Sequence, residues 1–110
     1  MTRERDVEAR LSKLAERAGG RAYKFVSPGC DGVPDRLVIL PGGVMFFVEL
    51  KAPGRKPRLL QEKRGEEIAG LGIPAFWVDS KEEAESLMAA AASGKLPAAW
   101  GKWSEIGKDG

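Results

Sequence analysis

Histidine is absent from the 110 residues, and cysteine occurs once, at Cys30. The first absence removes Ser–His and Cys–His nucleophilic arrangements and histidine-ligated zinc together. The second excludes an internal disulfide and any multi-cysteine zinc site, and points to a reducing compartment such as the cytoplasm. The N-terminus opens on charged residues without an apolar core, so no secretory signal is expected, and no apolar run approaches membrane-spanning length. Repeats, low-complexity tracts and domain linkers are also missing. Neither sign of charge dominates: 18 Lys and Arg against 16 Asp and Glu leave a net charge of +2, so only the distribution of charge is informative. With 43% hydrophobic and 31% charged residues, the composition is that of one globular domain. That domain is expected over residues 1–94, with 95–110 a tail in which Trp100 and Trp103 pack back on the core or against a second copy.

Periodicity gives an alternation of helices and strands. Val7, Leu11, Leu14, Ala15 and Ala18 recur at helical spacing within an expected helix from Thr2 to Ala18, stopped by Gly19-Gly20. Glu8 lies three residues before Leu11, at the edge of that stripe. A short strand is expected over Arg21 to Val26, then a Pro- and Gly-rich loop from Ser27 to Pro34. A second helix is expected from about Pro57, at its first position, to about Ala69. Leu60, Arg64, Ile68 and Leu71 would form its stripe, and Gly65 would weaken it by about 1 kcal/mol relative to Ala. Pro74 to Asp79 reads as a strand parallel to Val44–Lys51, because a strand–helix–strand crossover of this length is right-handed and parallel. Ser80 caps a third helix, with Glu83 reaching back and Ala84, Leu87, Met88 and Ala91 inward; its acids read as helix-start charges and not as a second metal site. The order is that of an α/β fold with a mixed sheet flanked by helices.

The chemistry concentrates in the middle of the chain. Arg36 to Leu40 and Val44 to Val48 are apolar runs separated by Pro41-Gly42-Gly43, the pattern of a hairpin. Glu49 and Lys51 end the second run and share a face, while Leu50 points to the other. A three-residue loop sets Leu40 opposite Val44 and therefore Asp35 opposite Glu49; a two-residue Gly42-Gly43 turn would set Asp35 opposite Leu50, on the wrong face. The first register is expected, or Asp35 just before the ladder begins. Two carboxylates held that close repel unless a cation lies between them, and few oxygen ligands suit Mg²⁺ or Mn²⁺. With a lysine beside them, they describe a site for metal-assisted phosphodiester chemistry. Six basic residues against the single acid Glu62 follow between Lys51 and Arg64, a stretch expected to meet phosphates through Arg55, Lys56 and Arg58. Arg36 is assigned the same role. Lys24 and Ser27 are further candidates for phosphate contact, from the strand and loop that lead into the acidic end.

Gly32-Val33-Pro34-Asp35-Arg36 followed by Val48-Glu49-Leu50-Lys51 resembles the PD-(D/E)xK nuclease signature. Tyr23-Lys24-Phe25-Val26-Ser27-Pro28-Gly29 upstream and Gln61 downstream make it similar to the VRR-NUC family of that superfamily, over about Glu8 to Ser80. The resemblance implies a restriction-endonuclease-like core, with Asp35, Glu49 and the Leu50 carbonyl as metal ligands. It also implies that Glu8 approaches the metal site and that Gln61 positions a water or Lys51. It points to structured DNA as substrate: flaps, branches or four-way (Holliday) junctions. The expected protein is a Mg²⁺- or Mn²⁺-dependent structure-specific endodeoxyribonuclease of a bacterial or phage-infected cell. A homodimer is expected, since a twofold pair presents matched sites to a symmetric junction. The competing reading is a non-catalytic nucleic-acid-binding or interaction subunit of a larger nuclease complex.

Overall fold

A computed structural model describes residues 2–107. Its elements are α1 (Glu4–Arg17), β1 (Arg21–Lys24), β2 (Arg36–Leu40), β3 (Val44–Leu50), α2 (Leu59–Gly70), β4 (Ala75–Val78), α3 (Lys81–Ala92), β5 (Trp100–Lys102) and α4 (Trp103–Ile106). They form a five-stranded mixed sheet in the order β1-β2-β3-β4-β5. β1, β2 and β3 run antiparallel; β4 lies parallel to β3, as the crossover argument requires, and β5 lies parallel to β4. Among the described residues no helix is long and apolar enough to cross a membrane.

One face of the sheet carries the core. Val38 and Leu40 of β2, Phe46, Val48 and Leu50 of β3, and Phe76 and Val78 of β4 pack against Val7, Leu11 and Ala15 of α1 and Ala84, Leu87, Met88 and Ala91 of α3. The α1 stripe is thus as read, except that Leu14 is only half-buried and Ala18 lies outside the helix, as its C-cap. The helix begins at Glu4 instead of Thr2, where the Asp6 carboxylate accepts the Arg3 N–H at 2.7 Å. β1 ends at Lys24, short of the expected Val26. Beyond it the Phe25 N–H donates to the Asp35 carbonyl at 2.8 Å, and Arg64 Nε donates to the Asp31 carbonyl of the departing loop at 3.1 Å.

The opposite face is covered by α2, which packs on β4 and β5 and not across the whole sheet. Here the expected stripe was wrong. Leu60 is 41% exposed and Leu71 80% exposed; the residues that α2 buries are Gln61 and Gly65. The reason lies in the tail. The Trp100 ring lies against Gly65, so close that a Cβ there would collide with it, and the indole N–H donates to Glu62 at 2.9 Å. A large ring on the strand needs a bare helix surface opposite, which only glycine provides. The helix also starts two residues later than expected, with Pro57 before the Arg58 N-cap and outside the helix.

Residues 100–106, left unassigned by the sequence, thus supply the fifth strand and a short helix; residues 108–110 of the expected tail lie outside the described residues. Trp103 is buried against Phe76, ring centroids 5.1 Å apart, and its indole N–H donates to the Ser86 hydroxyl.

An exposed mid-helix Gly→Ala change gains stability through higher helix propensity. At position 65 the sign reverses: Gly65→Ala is expected to lose about 1–3 kcal/mol by overpacking. Urea unfolding checks this, and a variant as stable as the parent or more so would contradict the Trp100–Gly65 packing.

Candidate active site

Register brings the two acids together. Leu40 pairs with Val44 and Arg36 with Val48, so Asp35, one residue outside the ladder, faces Glu49. Gly42 and Gly43 both adopt positive φ, 86° and 80°, in the three-residue loop that fixes this register. The Asp35 N–H donates to Glu49 Oε1 at 3.3 Å. The carboxyl end of β3 sits beside that of its parallel neighbour β4, the usual place for a ligand site in such sheets.

Glu49 is 4% exposed, and each of its carboxylate oxygens is engaged. Oε2 accepts from Gln61 Nε2 at 3.0 Å and lies 3.3 Å from Lys51 Nζ. Gln61 is buried by this arrangement, and its own Oε1 accepts the Arg58 N–H at 2.8 Å. One side chain therefore ties the end of the basic loop to the strand acid. The Lys51 backbone N–H donates to the Val78 carbonyl at 3.0 Å, fixing the strand end that carries the amine.

On the other side of Asp35 stands Arg36, 7% exposed. Its guanidinium pairs with the Glu8 carboxylate, donates to the Asp35 carbonyl at 2.9 Å and lies 3.6 Å from Asp35 Oδ2. Glu8, Arg36, Asp35, Glu49, Lys51 and Gln61 thus form one continuous chain of contacts. The expected phosphate contacts divide. Arg55, Lys56 and Arg58 are exposed on the loop before α2. Lys24 is exposed and pairs in register with Arg36, while Ser27 lies half-buried in the next loop, its carbonyl accepting the Cys30 N–H at 3.2 Å. Arg36 alone is turned inward.

Electrostatics make the pair uncomfortable. Burial pushes the Asp35 carboxyl above its ordinary range; Arg36 opposes the rise and the Glu8 charge adds to it. Burial likewise pushes Glu49 up, and the Asp35 charge pushes it further against the pull of Lys51. Asp35 Oδ1 is buried with no hydrogen-bond partner among the described residues. An unpartnered buried oxygen beside a second strained carboxylate is what a hard cation would satisfy. Among the described residues no group of three or more acidic, Cys or His side chains gathers as a metal cage. The donors that could hold a metal here are two carboxylates and backbone oxygen, with the Leu50 carbonyl adjacent in sequence. That suits Mg²⁺ or Mn²⁺, which keep several waters, and not zinc.

A mixed sheet with paired acids and a lysine at the carboxyl end of its central strand defines the protein as a nuclease of restriction-endonuclease-like fold. Comparison with known proteins agrees. "Putative nuclease p44" of Acyrthosiphon pisum secondary endosymbiont phage 1 is 46% identical over 82 residues, 74% of this chain and 88% of that protein. A solved structure described as a VRR_NUC domain superposes with a TM-score of 0.74 at 34% identity, covering 81% of this chain and 97% of that one. No protein-family model matches the chain. The chain belongs to the VRR-NUC nucleases.

Sequence reasoning missed two things here. The inward turn of Arg36 has a signal in hindsight, since it occupies a core-facing position of β2 alongside Val38 and Leu40. Asp79, at the end of β4 beside Lys51, was passed over as a strand terminus. Its carboxylate accepts the Gly54 N–H at 3.1 Å and pairs with Lys102 at 2.8 Å.

The raised carboxyls set a pH dependence. A folded-state pKa above the unfolded value contributes stability that is full below the ordinary carboxylate range and lost as pH rises through the raised value. Without divalent ions, Asp35→Asn should therefore melt higher than the parent at pH 7, and the gap should close on acidification. Thermal melts between pH 4 and 7 would read this; a parent that gains on the variant as pH rises contradicts it.

Proposed function

We propose that the chain is a divalent-metal-dependent endodeoxyribonuclease acting on branched DNA. The observation that carries it is the buried Asp35 Oδ1, without a hydrogen-bond partner among the described residues, facing Glu49 across the β2–β3 register. Asp35, Glu49 and the Leu50 carbonyl would hold one Mg²⁺ or Mn²⁺. When bound, such an ion lowers the pKa of a water and offsets charge on the scissile phosphate.

The remaining roles belong to side chains. Glu49 is fixed by Gln61 and by the Asp35 N–H, so its oxygens do not swing away when substrate arrives. Lys51, its amine held at Glu49, orients the attacking water and offsets charge building on the phosphate oxygens. The water gives up a proton to solvent as its oxygen bonds to phosphorus, the bond from phosphorus to the leaving sugar oxygen breaks, and that oxygen takes up a proton from solvent. Arg36 does not reach DNA in this reading. It positions Asp35, with Glu8 as its counter-charge. Arg55, Lys56 and Arg58 grip backbone phosphates, with Lys24 at the end of β1 and Ser27 in the loop after it, so affinity falls steeply with salt.

Two copies related by a twofold axis would present two matched sites to the two strands of a junction, and a homodimer is the assembly we assign. The reducing cytoplasm of a bacterial or phage-infected cell fits the single cysteine and the phage relative.

The test is purified protein with Mn²⁺ or Mg²⁺ and labelled linear, flapped and four-way DNAs. Branched substrates should be nicked in preference to linear duplex. Glu49→Gln and Lys51→Ala should each lose at least about a hundredfold in rate, as loss of a group acting at the transition state does, while still retaining DNA in gel shifts. Mg²⁺ should raise the melting temperature of the parent and not of Asp35→Asn. Equal cutting of linear and branched DNA by a monomer in light scattering would remove the junction reading. Undiminished cleavage by Glu49→Gln would remove the site.

A further inference from the structure

Beyond the acidic cluster, the described residues hold a second charged network, and it reaches the DNA-facing loop from below. Lys102 Nζ contacts Asp79 Oδ1 at 2.8 Å and Glu83 Oε1 at 2.7 Å, and lies 5.1 Å from the centroid of the Trp77 ring. Glu83 is buried; its carboxylate also accepts the Asp79 N–H at 2.9 Å and the Ser104 N–H at 2.7 Å. The other Asp79 oxygen, Oδ2, accepts the Gly54 N–H at 3.1 Å. We propose that Asp79 is a positioning residue that latches the basic loop in its DNA-gripping conformation, with Lys102 of β5 holding the latch.

Three features carry this. The Gly54 bond is the loop's side-chain tether next to Arg55 and Lys56, and an Asp79 carboxylate free to rotate could not maintain it. Lys102 removes that freedom by fixing Oδ1, leaving Oδ2 aimed at the loop. The latch residues and the loop cations share one open groove: Arg55, Lys56, Trp77, Asp79 and Lys102 line it together with Glu62 and Glu105, so the cations at its loop rim are the ones placed for phosphates. Electrostatics agree, since the bonds from Lys102 and Gly54 outweigh burial and hold the Asp79 carboxyl below its ordinary value. The other end of the same loop is tied through Gln61 to Glu49, so the loop spans two anchors, one in the acidic cluster and one in this network. β5 braces both, because Trp100 from the same strand holds Glu62 and packs on Gly65 of α2. A loop ordered before binding does not have to be ordered by the ligand. Freezing each long side chain on binding costs about two- to tenfold in affinity.

The inference rests on the reading that this loop meets phosphates, and the experiment separates the two. Full-length parent, Asp79→Ala, Lys102→Met and an Arg55→Ala/Lys56→Ala double variant are compared for binding to branched DNA and for cleavage with Mn²⁺. Amide exchange is followed at Gly54 and at Val48. Asp79→Ala is expected to raise the dissociation constant and KM about fivefold with kcat within twofold of the parent. Gly54 exchange should quicken while Val48, in the sheet centre, stays protected. Lys102→Met should shift in the same direction, less strongly. If the double variant binds like the parent, the loop does not grip DNA, and the phosphate reading fails first. If the double variant binds weakly but Asp79→Ala binds like the parent, the latch is overturned. It is equally overturned if Asp79→Ala lowers kcat together with Val48 protection, since that is the mark of a general loss of structure.

Discussion

Glu49 is an acid at the end of a strand, flanked by the buried Val48 and Leu50, and its surroundings accommodate that charge. Ionised carboxylates out of water are costly, and a second one opposite makes the cost larger. The chain offsets it with Gln61 from α2, Lys51 from the same strand and the Asp35 N–H from β2. It does not offset it fully. Both carboxyls remain above their ordinary pKa range, and one Asp35 oxygen stays buried without a partner among the described residues. A pair of acids left short of positive charge has the character that a hard cation would satisfy. In a protein selected for stability alone the same positions would be apolar.

The fold is arranged around holding that shortfall still. α1 and α3 fill one face of the sheet with aliphatic side chains, which makes β2 and β3 a rigid platform. α1 also delivers Glu8 to Arg36, so that an arginine at a core-facing position has a counter-charge and can turn back to Asp35. On the other face α2 buries a glutamine and a glycine where a helix usually buries leucines. That exchange sacrifices apolar contact area. In return, Glu49 gains a hydrogen-bond donor and the helix lies close against Trp100.

Exposure follows the same division of labour. Arg55, Lys56 and Arg58 are outside, and the charges that shape the site, Glu8 included, are inside or half-inside. Arginine suits both settings because its planar guanidinium can satisfy several acceptors at once in a buried position and still serve as a phosphate contact when exposed. The half of the sheet that α2 leaves uncovered shows Tyr23, Ile39 and Met45 partly to solvent, consistent with a helix placed to serve the site and not to cover apolar surface.

The amino-acid sequence alone decided the hairpin, its register and the pairing of Asp35 with Glu49, because turn chemistry and the two-residue strand period are local rules. It also decided α1, the core face of α3 and the parallel placement of β4. Gln61 was reached only through the family resemblance, and residue patterning gave no reason to bury it: a glutamine one turn into a polar helix is buried because a strand twelve residues earlier presents an acid to it. Arg36 was misjudged for a related reason, since strand alternation says which face a residue occupies but not that Glu8 awaits it there. The pairings of Trp100, Lys102 and Trp103 were illegible because a three-residue strand and a four-residue helix have no period to detect, and the partners, Gly65, Asp79 and Phe76, are scattered over the chain. Local patterning writes the backbone elements and the two acids. Which polar side chains are paid for by burial beside those acids is settled by contacts between distant segments, and only the folded chain brings these together.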